Sequence, residues 1–361
     1  MKRLLLFLFT AAWLPAAAQV SVSSLKVNHM CEPSGVVDAQ PVLSWIVESP
    51  DRNVMQQAYE VRVFRDGRSV WRTGRVESQN SVTVAYEGEP LASGTRYEWQ
   101  VRVWDNRGRV SKWSERSSWL TGMMTPDEWQ AEWIGENALS NKGETDQGNT
   151  RLAARYLRKT FDVEGKVKRA VLYISGLGSS ESYINGERIS DDVLSPTPSL
   201  YSTRVYYNVY DVTDMLDKGD NVLGVMLGNG RYFTMRAGGF MHFGLPSLLA
   251  RLEIEYADGT HETIVSDRAW RVTESPVTYS SIFGGEDYDA TRERTGWMLP
   301  GYDASAWAEP LVTTQRGKLV SPVAEPVRVM EEFPVVSIRK TRHGKWLYDM
   351  GQNFSGTVQL E

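Results

Sequence analysis

The feature that most constrains this chain is alternation of apolar and polar residues with period two, broken at short intervals by turn residues. From Val42 the segments VLSWIV, AYEVRVFRDG, SVWRTGRV, SVTVAYEG and TRYEWQVRVWDNRGRVSKWSE all follow it. A period of two sends successive side chains to opposite faces of a strand, and Asp66-Gly67 and Asn106-Arg107-Gly108 supply reversals between strands. The pattern resumes at ARYLRKTFDV and continues through RAVLYISGLGSSESYINGERI, RVYYNVYDVTDML, NVLGVMLGNGRYF, SLLARLEIEYADGT and HETIVSDRAWRVTES. No stretch of ten or more residues shows convincing helical periodicity, so the expected fold class is all-β.

Breaks in the alternation divide the chain. Thr125-Pro126-Asp127 separates residues 19–124 from residues 125–315. The first span holds about seven short strands in about 100 residues, the size of an immunoglobulin-like sandwich. The second is expected to be a jelly-roll-like β-sandwich. Within it EWQAEWIGENALSNKGETDQGNT turns polar and glycine-rich after Ile134 and reads as an exposed loop. The proline-rich LVSPVAEPVRVMEEFPVV leads into residues 316–361, a linker and an incomplete third β unit. Pro322, Pro326 and Pro334 cannot donate within a central strand, which favours an edge or linker there. Trp346–Met350 and Thr357–Leu360 read as strands, the second barely begun when the sequence stops at Glu361. Two or three strands rarely hold together alone, so the tail from Val327 onward is expected to pack poorly.

Residues 1–18 have the layout of a signal peptide: Lys2 and Arg3, an apolar run from Leu4 to Leu14, and a small-residue site at Ala16–Ala18. The apolar run is well short of the roughly 20 residues needed to span a bilayer, so the expectation is export to the periplasm or beyond the cell, with no transmembrane segment. Removing Lys2 and Arg3 takes the formal charge from -5 to -7, and the remaining cations are scattered among acids, which excludes a nucleic-acid backbone as partner. The single cysteine, Cys31, cannot form an internal disulfide and reads as a small buried side chain. Thirteen tryptophans and sixteen tyrosines suit strands, sandwich cores and sugar-stacking surfaces alike, so composition does not separate these uses.

Several chemistries find no support. There is no G-x-S-x-G elbow, and His29, His242, His261 and His343 have no partner at a ligand spacing. GNGRYF lacks the Lys-Ser/Thr ending of a phosphate loop and follows a strand without opening a helix. Glu286, Asp287 and Asp289 after Gly284-Gly285 offer carboxylates of the kind glycoside hydrolysis needs. Nothing beside them supplies the raised pKa of an acid catalyst, so pairing with Arg292 and Arg294 is the favoured reading.

Three stretches have a specific look: YISGLGSSESYINGERISDDVLSPTPSLYSTRVYYNVYDVTDML, NVLGVMLGNGRYF and GGEDYDATRERTGWMLPGYDASAW. In this order they resemble the N-terminal jelly-roll domain of bacterial α-L-rhamnosidases, glycoside hydrolase family 78. YDMGQNFSGTV (Tyr348–Val358) resembles the start of the concanavalin-like β domain that follows in that family. Ahead of them, Trp45, the YEVRV strand and YEWQVRVWDNRGRVSKWS closing on WLTG resemble a fibronectin type III module, with Tyr97 where such modules place a buried tyrosine. The resemblance implies an enzyme that releases terminal α-L-rhamnose with inversion, using an acid and a base in an (α/α)6 barrel beyond these residues. No catalytic residue carries over, and the 361 residues are expected to be inactive alone; the alternative is a stand-alone carbohydrate-binding protein.

The implied partner is a rhamnose-containing glycan or glycoside. For contact with a sugar or a neighbouring domain, Asn229, Arg231, Tyr232 and the RAGGF segment from Arg236 group an amide, cations and aromatic rings. The equally weighted alternative makes Tyr232 and Phe240 core and the glycines turns. The GGFMHFG stretch with Arg236 also reads as a lid toward the barrel. No cofactor is required. Related rhamnose-binding modules use calcium, which makes Asp191-Asp192 or the Glu286, Asp287 and Asp289 loop candidate oxygen ligands, against a reading as solvated turn carboxylates.

Overall fold

The computed structural model describes residues 20–135, 152–236, 239–315 and 317–359. The signal-peptide expectation and most of the expected loop after Ile134 lie outside these residues. Among the described residues there is no α-helix; the only helical turns are three-residue 3-10 segments at Pro126–Glu128, Thr213–Met215 and Ala290–Arg292. The all-β expectation therefore holds. No helix among the described residues is long and apolar enough to cross a membrane.

The first sandwich sets a three-stranded sheet (Ser21–Val27, Val42–Glu48, Val84–Ala85) against a larger one. The larger sheet runs Ser34–Val36, Ser117–Thr121, Arg96–Asp105, Gln56–Arg65, Arg68–Arg72, with Val76–Glu77 also on Gln56–Arg65. Alternation along RYEWQVRVWD decides which side chains go inside: Tyr97, Trp99, Val101 and Val103 are buried and the residues between them are not. Asp66 and Gly67 both have positive φ (49° and 75°), the turn that the dipeptide predicts. Tyr97 stacks on Trp119 with ring centroids 5.2 Å apart, and its hydroxyl accepts the Ala92 N–H at 3.1 Å. This bond back to upstream backbone is a tyrosine corner, a recurring feature of immunoglobulin-like sandwiches.

The second sandwich packs two sheets face to face. One runs Asn208–Asp211, Val167–Leu177, Ser247–Tyr256, Trp133–Gly135, Leu311–Thr313, with His261–Val265 also on Ser247–Tyr256. The other runs Glu187–Arg188, Ser179–Ile184, Gly219–Gly228, Arg155–Val163, Arg271–Glu274. Asn185-Gly186 forms the predicted hairpin turn, with φ of 51° and 87°. Val167–Leu177 is buried almost continuously from Ala170, because its two faces serve different cores. Ala170, Leu172 and Ile174 point between the sheets, whereas Val171 and Tyr173 join Trp129, Tyr207, Val209 and Leu249 at the junction with the first sandwich.

That junction is held by more than apolar contact. The Met123 N–H donates to the Tyr207 hydroxyl at 3.1 Å, and Arg96 pairs with Asp211 at 3.2 Å. Replacing Tyr207 with phenylalanine leaves the buried Met123 N–H without an acceptor, which costs about 1–3 kcal/mol. The expected result is earlier melting of the junction, read by calorimetry as separation of the two domain transitions. An unchanged thermogram would show that this bond does not couple them.

Three expectations are corrected. Cys31 is exposed, because the turn after the first strand faces outward; its backbone N–H donates to the Glu325 carboxylate at 3.0 Å. Residues 357–359 form no strand, although Trp346–Asp349 does, pairing with Ser337–Lys340. Trp133–Gly135, within the stretch that opened the expected loop, is a strand between Ser247–Tyr256 and Leu311–Thr313. The proline-rich segment runs along an edge: Lys318–Val320 pairs in parallel with Arg204–Tyr206, and the Val193 N–H donates to the Val327 carbonyl at 2.8 Å. In the hairpin beyond it, all eight strand residues are exposed.

Candidate functional site

The GNGRYF motif sits where Gly219–Gly228 ends. Its sharp reversal is fixed by the Asn229 carbonyl, which accepts N–H groups from Tyr232 and Phe233 at 3.1 Å each. The reversal presses against Gly178, whose φ is +134°. A Cβ on Gly178 would lie 2.0 Å from the Gly228 carbonyl oxygen, and one on Gly230 would lie 2.7 Å from the Gly178 carbonyl carbon. Glycine at both places lets the two backbones touch.

This packing decides what the motif presents. Asn229 is buried: its side-chain amide donates to the Leu152 carbonyl at 2.7 Å and the Ser280 carbonyl at 3.0 Å. Its Oδ1 has no partner. Tyr232 is also buried, donating its hydroxyl to Gln315 Oε1 at 2.7 Å and meeting Tyr201 edge-on with centroids 4.9 Å apart. Tyr201 in turn meets the partly exposed Phe243 at 5.0 Å. Burial pushes the Tyr201 phenol up to about 12, so it stays protonated at physiological pH. Arg231 is exposed, and Arg236 ends the strand Phe233–Arg236 opposite Gly239. The motif therefore staples three segments together, and the neighbouring exposed side chains are Arg231 and Phe243. Sequence reasoning missed Tyr201 and Gln315 as partners of this motif, since nothing local marks residues that distant strands bring together, whereas Phe243 falls within the GGFMHFG stretch.

Three of the five acidic candidates, Asp191, Asp192 and Asp289, are already paired. Arg328 Nε lies 2.9 Å from Asp191 and 3.3 Å from Asp192, and Asp192 also accepts the Tyr210 hydroxyl at 3.0 Å. Glu286 and Asp287 lie on the exposed strand Gly285–Tyr288. Asp289 accepts the Thr291 N–H at 3.1 Å and its hydroxyl at 2.6 Å, and pairs with Arg292 at 3.2 Å. The Thr291 hydroxyl is the foremost of the contacts that hold the Asp289 pKa low. Arg294 lies over the Trp307 ring, 5.9 Å from its centroid, so only Arg292 has the predicted carboxylate pairing among these contacts. Among the described residues, no group of three or more His, Cys, Asp or Glu side chains gathers as a metal site requires.

The stretch GWMLPGYDASAW resolves one ambiguity of the aromatic content. Trp297 stacks on Tyr156 at 4.1 Å, and Trp307 packs beside them over the second sheet of the larger sandwich. Arg158 is buried beneath, donating to the Tyr302 and Leu299 carbonyls at 3.0 and 3.2 Å. These rings cover a sheet and leave no face for a sugar.

Comparison with known proteins agrees with this architecture. Residues 22–125 match the Rha78A-like N-terminal immunoglobulin domain, and residues 165–331 match the α-L-rhamnosidase N-terminal domain. An α-L-rhamnosidase of Formosa agariphila is 32% identical over 365 residues, an alignment covering 92% of this chain and 38% of that protein. The solved α-L-rhamnosidase of Aspergillus terreus superposes with a TM-score of 0.85 at 32% identity, over 92% of this chain and 39% of the other. That of Dictyoglumus thermophilum gives 0.80 at 36%, again over 92% and 39%. The chain thus spans well under half the length of these relatives. The order of its two sandwiches and their separate matches lead to one assignment: the chain is homologous to the N-terminal part of the α-L-rhamnosidases, carrying that family's immunoglobulin-like and N-terminal domains.

Proposed function

We propose that these residues form the non-catalytic front of an exported α-L-rhamnosidase acting on terminal α-L-rhamnosides. The observation that carries the reading is the match of two successive domains, in order, to the N-terminal domains of that family. Two further facts support it. The hydrolytic machinery implied by the resemblance belongs to a helical barrel, and the described residues hold no α-helix. The carboxyls that the structure shifts, Asp105, Asp211, Glu255, Asp258, Asp289 and Asp303, all move down, opposite to a general acid. Export is supported by the basic start, apolar run and small-residue site of residues 1–18. No cofactor enters the proposal.

The role assigned to the two sandwiches is mechanical: a braced pair that holds sugar-binding and catalytic parts in fixed relation. The expected result is that purified residues 19–361 release no L-rhamnose from an aryl α-L-rhamnoside. Rhamnose release that persists after rigorous purification would overturn the assignment.

A further inference from the structure

Three segments of the first sandwich meet the second at glycines. Gly35 lies in Ser34–Val36, Gly122 follows the neighbouring strand Ser117–Thr121, and Gly94 sits in the turn before Arg96–Asp105. Each faces one side chain of the sheet opposite. A Cβ on Gly94 would lie 2.3 Å from the Tyr173 hydroxyl oxygen, one on Gly122 2.5 Å from the Tyr207 hydroxyl oxygen, and one on Gly35 3.2 Å from Val209 Cγ2. At Gly94 and Gly122 no other residue admits so close an approach.

The three side chains share one face. Tyr173 and Val209 are direct cross-strand partners, and Tyr207, two residues before Val209, packs in the same junction core. They do not lie on one line, and three contact points off a single line remove every rotation of one body on another. The linker adds no play, because Trp129 is wedged edge-on against Tyr173 and Tyr207, with centroids 6.2 and 5.0 Å away. Tyr173 is the telling member. It is wholly buried, and its hydroxyl has no hydrogen-bond partner among the described residues. A buried hydroxyl left unpaired is costly, so phenylalanine would suit a plain core position better. What the oxygen supplies is length, ending against Gly94.

We propose that these three pairs form a keyed joint that locks the two sandwiches into one rigid body, with Tyr173 on Gly94 setting the stand-off between them. Domains joined by a linker ordinarily move relative to one another. Here the break at Thr125-Pro126-Asp127 is a boundary without a hinge. The purpose of the joint rests on the mechanical role proposed above; its existence rests on the contacts, and its test reads geometry without any rhamnose release.

In that test residues 19–361 with Cys31→Ser carry paired nitroxides through Gln79→Cys and Ala257→Cys, exposed positions on the first and second sandwiches. Pulsed electron paramagnetic resonance then gives the distribution of distances between the labels. The expected result is one narrow distribution in the parent and in Tyr173→Phe, at least twofold broader in Gly94→Ala, and narrow again in Gly94→Ala combined with Tyr173→Phe. The rescue is specific: once the oxygen is gone, the nearest remaining atom, Tyr173 Cζ, is 3.5 Å from the new methyl. Alanine at the positive φ of Gly94 (55°) is strained with either partner, so backbone strain cannot produce the rescue. A broad distribution in the parent, a narrow one in Gly94→Ala, or a double variant as broad as Gly94→Ala overturns the joint. If Gly94→Ala fails to fold, Val209→Leu, which lengthens the side chain facing Gly35, decides in its place. The same broadening is expected there, and an unchanged distribution overturns the joint.

Discussion

Replacing Gly178 with alanine is expected to destabilise the second sandwich by about 3 kcal/mol or more. Two penalties combine. The residue sits at φ +134°, and the added methyl would lie 2.0 Å from the Gly228 carbonyl oxygen, a backbone atom that no rotamer change can move. For a domain of this size the loss corresponds to a drop of roughly 6–12 °C in melting temperature. Gly259→Ala is the control, since that glycine has φ +86° in the same sandwich with nothing within 4 Å of the new Cβ. It isolates the backbone penalty. If both variants melt together, close approach at Gly178 contributes nothing, and the account of why GNGRYF turns against that strand is wrong.

Removal of the Asp105 carboxylate should cost the first sandwich about 3 kcal/mol. Asp105 is buried at the end of the long strand Arg96–Asp105 and accepts the Arg107 and Arg109 N–H groups at 2.9 Å each and Arg109 Nε at 2.7 Å. Burial alone would raise its pKa. The Arg109 side-chain bond, the two backbone donors and the guanidinium charge outweigh burial, so the carboxyl lies below its ordinary value. A depressed folded pKa gives stability that is present above the unfolded value of about 3.9 and is lost as pH falls through the lower folded value. Denaturant melts should therefore show Asp105→Ala well below wild type at pH 7, with the gap narrowing in strong acid. A gap independent of pH would mean that the variant acts through packing and not through charge.

Local signals were the legible ones. Asp66-Gly67 and Asn185-Gly186 need only their own backbone to turn, and both do so as the dipeptides imply. Alternation placed Tyr97, Trp99, Val101 and Val103 inside because a half-buried strand has a period of two. Where burial comes from two sides, that rule loses its grip: Val171 and Tyr173 are covered by another domain, which no window of sequence contains. The site was less legible for the same reason. GNGRYF marked a tight turn, but its buried contacts reach Leu152, Ser280 and Gln315 across the chain. Cys31 shows the opposite failure, a residue type usually buried yet carried outward by a turn. Asp191 and Asp192 read as ligands only while Arg328, more than a hundred residues away, was out of view.

The parallel pairing of Lys318–Val320 with Arg204–Tyr206, and the antiparallel pairing of Leu311–Thr313 with Trp133–Gly135, set a timetable for synthesis. The first sandwich has all its strands once Thr121 has left the ribosome. The second must wait for strands about 200 residues further on, a delay of roughly 10 to 40 s at about 5–20 residues per second. Once they emerge, Trp129, Val171 and Tyr173 have one finished neighbour to settle against and one that is still being made. A domain already folded at the exit can act as a template for the sheet face that later closes over it, so the nascent chain is guided from its front end.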